Sequence, residues 1–188
     1  MKRFALPLSA ALLAATALTA LPAAAQTVLS LDEVPVGELD PGKASDYADS
    51  ILMFNVYDTL VLPTQGAPGY SPHLAEGWEV DGNDFIVSLR QDVTFQSGNA
   101  MTSEDVVFSY ERMKALGQGL SFLFQNVTSV EAVDDYTVRF NLDAPYSPFI
   151  ASLVRLPIVD KQLIMDNLGD GDGEMGDWGQ AFLSENGA

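Results

Sequence analysis

The sequence predicts an α+β fold, and three stretches carry that reading. Tyr136-Thr137-Val138-Arg139-Phe140-Asn141-Leu142 alternates strictly and follows an Asp134-Asp135 turn, as a half-buried strand does. Trp78-Glu79-Val80 and Phe85 to Arg90 flank Asp81-Gly82-Asn83-Asp84, a turn signal because Asp and Gly tolerate positive φ. Thr102-Ser103-Glu104-Asp105 opens a helix as a capping box, and Val106, Tyr110 and Met113 follow as its apolar stripe. These strands and helices mix without regular βαβ alternation, which makes α+β the class.

In chain order, residues 1–25 read as a secretory signal. Lys2 and Arg3 precede an Ala/Leu-rich stretch from Phe4 to Leu21, and Ala23 and Ala25 stand at the −3 and −1 positions of a cut after Ala25. Pro7 and Pro22 bracket too short an apolar run for a membrane span of about 20 residues. A lipid-anchored export signal needs a cysteine, and the sequence has none. The expected product is therefore exported, to a periplasm or an extracellular medium. Removing the signal takes away two basic residues and no acid, leaving seven Lys and Arg against 26 Asp and Glu, a charge of −19.

Thr27 to Leu31 reads as a buried strand, and Leu39-Asp40-Pro41-Gly42 as a turn. Asp46 to Leu60 reads as a largely buried helix carrying Ile51, Leu52, Phe54, Val56 and Tyr57. The cluster Pro63, Gly66, Pro68, Gly69 and Pro72 reads as a loop and an internal boundary. Phe85, Val87 and Leu89 alternate onto one face of the second hairpin strand, and Val93-Thr94-Phe95 is read as a further strand ending at Ser97-Gly98. The helix opened by Thr102 should stop near Gly117. Phe149 to Val154 and Lys161 to Leu168 read as short helices, and Gly169 to Gly179 as a surface loop. Trp78, Phe95, Tyr110 and Phe140 read as core.

Composition removes several function classes. A net charge of −17 repels phosphate backbones, so no nucleic-acid partner is expected. Without cysteine there is no thiol nucleophile or thiolate metal site, and the single histidine, His73, reads as a partly exposed loop residue. Asp170-Gly171-Asp172-Gly173-Glu174 mimics the start of a calcium loop, but Met175 and Ala181 stand where such a loop needs Gly and Glu. Glu104-Asp105 and Asp134-Asp135 are explained by a helix start and a turn. No cofactor, metal or catalytic set is expected, and a secreted hydrolase lacks its nucleophile and base.

Five pieces in order resemble a known family. They are Leu39-Asp40-Pro41; Val56 to Val61; Pro72 to Trp78; Phe85 to Gly98 followed by Met101 to Ser109; and Tyr136 to Leu142 with Pro145 to Pro148 and Pro157. Together they resemble the family 5 extracellular solute-binding proteins of peptide-type ABC importers. The resemblance implies a two-lobed, α/β-type periplasmic binding protein that captures peptides or similar small solutes, works as a monomer and delivers to an inner-membrane ABC permease. The ligand could be a dipeptide, an oligopeptide, a nickel complex or a sugar.

In that family's terms residues 26–67 are the start of lobe I and 68–188 its small subdomain, with the second lobe expected to be missing. The chain would then be a truncated fragment unable to close over a ligand alone. Peptide-binding members use the loop after Leu-Asp-Pro to pair main chain with the ligand. Counting on from Leu39-Asp40-Pro41, this resemblance implies Ser45, Asp46 and Tyr47 as the ligand-binding loop. Without the resemblance, the same residues read as the solvated start of a helix.

Overall fold

The computed structural model describes residues 37–66 and 69–187. The signal expected at 1–25 and the strand expected at Thr27–Leu31 lie outside the described residues. The centre is a four-stranded antiparallel sheet in the order β3-β4-β6-β5. Its strands are β3 (Ala75–Asp81), β4 (Asp84–Leu89), β5 (Val127–Asp134) and β6 (Thr137–Leu142). The β3–β4 turn is a two-residue connection between Asp81 and Asp84, with Gly82 at φ 63°.

The alternation decides which face is wet. Phe85, Val87 and Leu89 of β4 and Val138, Phe140 and Leu142 of β6 are all buried on one side. On the other side Arg139 reaches Asp84 at 3.5 Å, and Asn141 donates to Ser129 and Glu131. One dry and one wet face is the usual economy of an antiparallel sheet. Helix α2 (Ser103–Leu116) lies against β5 and β6. Asp105 reaches back to accept the Thr102 N–H at 2.8 Å, and Gly117 ends the helix at φ 59°, as the capping signals require. Val106, Tyr110 and Met113 are buried as expected. Burial pushes the Tyr110 phenol up to about 12, with Glu111 adding to the effect, so its hydroxyl stays a donor to the Val127 carbonyl. Tyr110 and Phe140 are core, whereas Trp78 and Phe95 are only partly buried against it.

Several expectations need correction. The first helix is shorter than Asp46–Leu60: α1 runs Tyr47–Val56, and Tyr57 is already extended at φ −115° and ψ 147°. It is not largely buried either. Ala48, Asp49 and Met53 face inward, while Tyr47, Ile51, Phe54 and Val56 are exposed. Apolar residues occur all round this helix, so composition could not tell its inner face from its outer one.

The proline-rich loop is bounded by a small hairpin of β1 (Val61–Pro63) and β2 (Tyr70–Pro72). Pro63 and Pro72 sit at strand ends, where a missing N–H costs little. Val93–Phe95 is no sheet strand. Gly98, at φ 95°, folds it back so that Thr94 bridges Ala100 and Met101 donates to Val93.

The remaining helices are α3 (Phe149–Leu153), α4 (Lys161–Met165) and α5 (Gln180–Asn186). The first two stand where short helices are expected; α5 has no counterpart in the sequence reading. The Gly/Asp-rich stretch before α5 is organised by the Asp177 carboxylate, which accepts N–H bonds from Gly169, Gly179 and Ala181 at 2.7–2.9 Å. Among the described residues no helix is long and apolar enough to cross a membrane.

Candidate functional site

The site is built on the turn between Leu39 and α1. Asp40 is fully buried and meets the guanidinium of Arg112, on α2, through two parallel bonds of 2.7 Å. Arg112 is itself 2% exposed, and its Nε donates to the Trp178 carbonyl at 2.7 Å. Asp40 also shapes its own loop. Its Oδ1 accepts the Gly42 N–H at 2.9 Å, and its carbonyl accepts those of Lys43 and Ala44 at 3.0 and 3.1 Å. Desolvating two charges is costly, and it is tolerated here because the geometry is bidentate and each group has a further partner, the Gly42 N–H for Asp40 and the Trp178 carbonyl for Arg112.

A second set of bonds fixes the far end. Asp46 caps α1 by accepting the Asp49 N–H at 2.8 Å. The buried Asp49 carboxylate in turn accepts the N–H groups of Gly37 and Glu38, each at 3.1 Å. Lys43 pairs with Glu38 at 2.8 Å and donates to Ser184 of α5. Burial works to raise the Glu38 carboxyl, but Lys43, the Asp40 N–H and Ser184 outweigh it and hold the group below its ordinary value.

Gly119 closes the site from the α2 side. A Cβ there would lie 2.8 Å from the Gly42 carbonyl oxygen and 3.0 Å from that of Ala44, on a backbone at φ +55°. Backbone on both sides leaves no room to yield. Gly119→Ala is therefore expected to cost about 2 kcal/mol, from strain and from displacing residues 42–44. Urea unfolding beside a Gly82→Ala control, whose added carbon meets open space at a similar φ of +63°, separates the clash from the backbone cost.

Between these anchors stand the three residues that the resemblance implies. Ser45, Asp46 and Tyr47 are all exposed, Tyr47 at 78%. Asp46 spends its carboxylate on the helix cap. The N–H groups of all three and the Ser45 carbonyl have no hydrogen-bond partner among the described residues. What this loop offers is main chain, held at both ends and open to solvent. Beside it a hollow of about 380 Å³ is walled by Pro41, Ala44, Met53, Phe54 and Val154, with the Arg155 guanidinium 4.8 Å from the Phe54 ring centre. None of the three residues lines that hollow.

Other candidates recede. His73 is a partly exposed loop residue, as expected, and its Nε2 lies 2.7 Å from Asp58 Oδ1; among the described residues no hydroxyl is hydrogen-bonded to the pair. Among the described residues no group of three or more His, Cys, Asp or Glu gathers to hold a metal. The Arg112 partnership escaped the sequence reading because its two members are 72 residues apart. Gly119 escaped because its neighbour is backbone, which leaves no pattern in a sequence.

A sheet with one dry and one wet face and a helix across it make the frame of the described residues, and the comparisons with known proteins say which family it belongs to. Residues 69–181 match the family model for bacterial extracellular solute-binding proteins, family 5. The chain belongs to that family. It is 30% identical over 173 residues to a di/tripeptide-binding protein of Pseudomonas aeruginosa, covering 80% of this chain and 32% of that one. It is 29% identical over 140 residues to a probable D,D-dipeptide-binding periplasmic protein of Escherichia coli, covering 70% of this chain and 27% of the relative.

Among solved structures, a periplasmic binding protein of Helicobacter pylori in complex with the peptide STSA superimposes with a TM-score of 0.57 at 29% identity, covering 68% of this chain and 29% of that one. A binding protein from Agrobacterium tumefaciens in complex with mannopinic acid gives 0.63 at 29% identity, covering 70% and 29%. The chain thus spans about a quarter to a third of the length of these curated relatives.

Proposed function

We propose that this chain is the first part of an extracytoplasmic binding protein that captures peptides or similar small solutes for an ABC importer. The observation that carries the proposal is the match of residues 69–181 to a family of solute-binding proteins, with peptide binders among the relatives at 29–30% identity. Residues 1–25 act as the export signal and deliver the protein to the periplasm, where it works as a monomer. Residues 26–67 begin lobe I, and 68–188 form its small subdomain.

Ser45, Asp46 and Tyr47 supply one wall of the ligand cleft. Their open N–H groups and the Ser45 carbonyl pair with the main chain of an extended peptide, which recognises the backbone of a peptide whatever its side chains. A second lobe closes over the ligand, and the closed form docks on the permease. No covalent bond is made or broken.

Titration of the isotope-labelled protein with trialanine, followed by amide NMR, tests this. Saturable shifts at Ser45, Asp46 and Tyr47 are expected. A saturable response only to a nickel–histidine complex or a sugar acid, or one mapping elsewhere, would overturn the peptide assignment. A second reading is that these residues bind nothing until an opposite lobe closes over them, and an unresponsive loop at millimolar trialanine is its signature.

A further inference from the structure

We infer that Arg112 is a positioning residue for the ligand loop: acting through Asp40, it holds the main chain of Ser45 to Tyr47 in the shape that receives a peptide. The inference rests on the proposed role of that loop. Its geometry does not.

Arg112 is the point where three separate parts of the chain meet. Its own helix is fixed at both ends, by the Asp105 cap and by Gly117. Its two terminal nitrogens take both oxygens of Asp40, and its Nε takes the carbonyl of Trp178. Trp178 is the one non-glycine among the described residues with a left-handed backbone, at φ 58°. All the donating edges of the guanidinium fork that the fold needs are therefore committed to main-chain placement or to the residue that shapes the loop.

The turn is tight against the pair. A Cβ on Gly42 would come within 2.7 Å of Arg112 Nη1, and Gly119 presses on the same turn from outside. A buried ion pair is a poor source of net stability, because an apolar pair of similar volume often does as well. A planar fork on a carboxylate is instead a strong source of fixed geometry. Here that geometry sits four residues before the turn's end at Ala44, and the next residue is Ser45. Shifting Asp40 moves the carbonyl that Lys43 and Ala44 donate to, and so moves the start of the open segment.

Amide hydrogen exchange of the whole protein, with and without trialanine, tests the inference on Arg112→Lys and Asp40→Asn. Lysine keeps the charge and loses the fork; asparagine keeps the oxygen that accepts the Gly42 N–H and loses the charge. The amides of Lys43 and Ala44 are expected to exchange about tenfold faster in either variant, while those of the β4–β6 ladder around Phe85 and Phe140 change much less. Trialanine protection at Ser45 to Tyr47, present in the parent, is expected to fall at least about threefold in the same variants.

Loop and ladder amides that speed up in step would show a general structural role and overturn the inference. Unchanged exchange at Lys43 and Ala44, or full trialanine protection in the variants, would overturn it too. A parent loop that never responds to trialanine, with selective loosening in the variants, leaves Arg112 as the residue that sets the loop and removes the loop's role as a peptide site.

Discussion

Replacing Phe149 by alanine is expected to cost about 3–5 kcal/mol and to lower the melting temperature by about 10 °C or more. The ring is 1% exposed and stands at the centre of the core. Its centroid is 4.9 Å from that of Phe85, 5.3 Å from Phe140 and 6.4 Å from Phe124, mostly in edge-on or tilted arrangements. Edge-to-face pairs add to simple burial, so truncation removes both the transfer energy and three ring contacts. The neighbours belong to β4, β6 and the 3-10 turn at Ser121–Phe124, which the sheet and α2 hold in place, so the site collapses poorly. Phe122→Ala, at a ring 61% exposed, is the control and should change stability by less than about 0.5 kcal/mol. Calorimetric melting of both variants decides it: similar losses would mean that the aromatic cluster is not where the fold is held.

The elements that were legible in the sequence are those whose signals are local. β4 and β6 show their buried face by strict alternation, and α2 shows both of its ends by Thr102–Asp105 and Gly117. β5 was not legible, because its ladder slips between Val127 and Ser129 and again between Ala132 and Asp134. Its buried residues, Val127 and Val130, are therefore three apart, a spacing that fits one face of a helix and not the period of two of a strand. α5 is short and depends for its start on Asp177, whose role is visible only once Gly169 and Ala181 are seen around it. For α1, the residues that look like core are the ones left outside, and a buried aspartate, Asp49, occupies the inner face. The loop is proposed through resemblance, while nothing near Asp40 in sequence announces Arg112, the partner that fixes it.

Asp160 is the second position where one side chain should matter greatly, and its effect depends on pH. It is buried at the start of α4, where its carboxylate accepts the Leu163 N–H at 3.0 Å and the Asn99 amide at 2.9 Å, along with the Ser97 hydroxyl. It thereby caps one helix and latches the turn made by Val93 to Met101. Asp160→Ala is expected to cost about 2–3 kcal/mol, from the lost cap and from donors stripped of their acceptor. Burial works to raise its carboxyl, yet the bonds from Ser97, Leu163 and Asn99 outweigh that and hold it below the ordinary 3.8.

The folded protein thus binds this proton less readily than the unfolded chain. The stability Asp160 supplies is complete above 3.8 and disappears as pH falls through the lower folded value. Asp105, which accepts the next N–H of α4, from Lys161, shifts the other way: burial raises it, helped by the nearby Asp160 charge, against its hydrogen bonds. Its proton therefore favours the folded state, and the two carboxyls oppose each other in acid. Urea midpoints measured from about pH 6 to 3 should fall less steeply for Asp160→Asn than for the parent, and more steeply for Asp105→Asn. Three parallel acid limbs would show that the carboxyls at the start of α4 do not govern acid stability, and that their hydrogen bonds are as well satisfied by a neutral amide as by a charge.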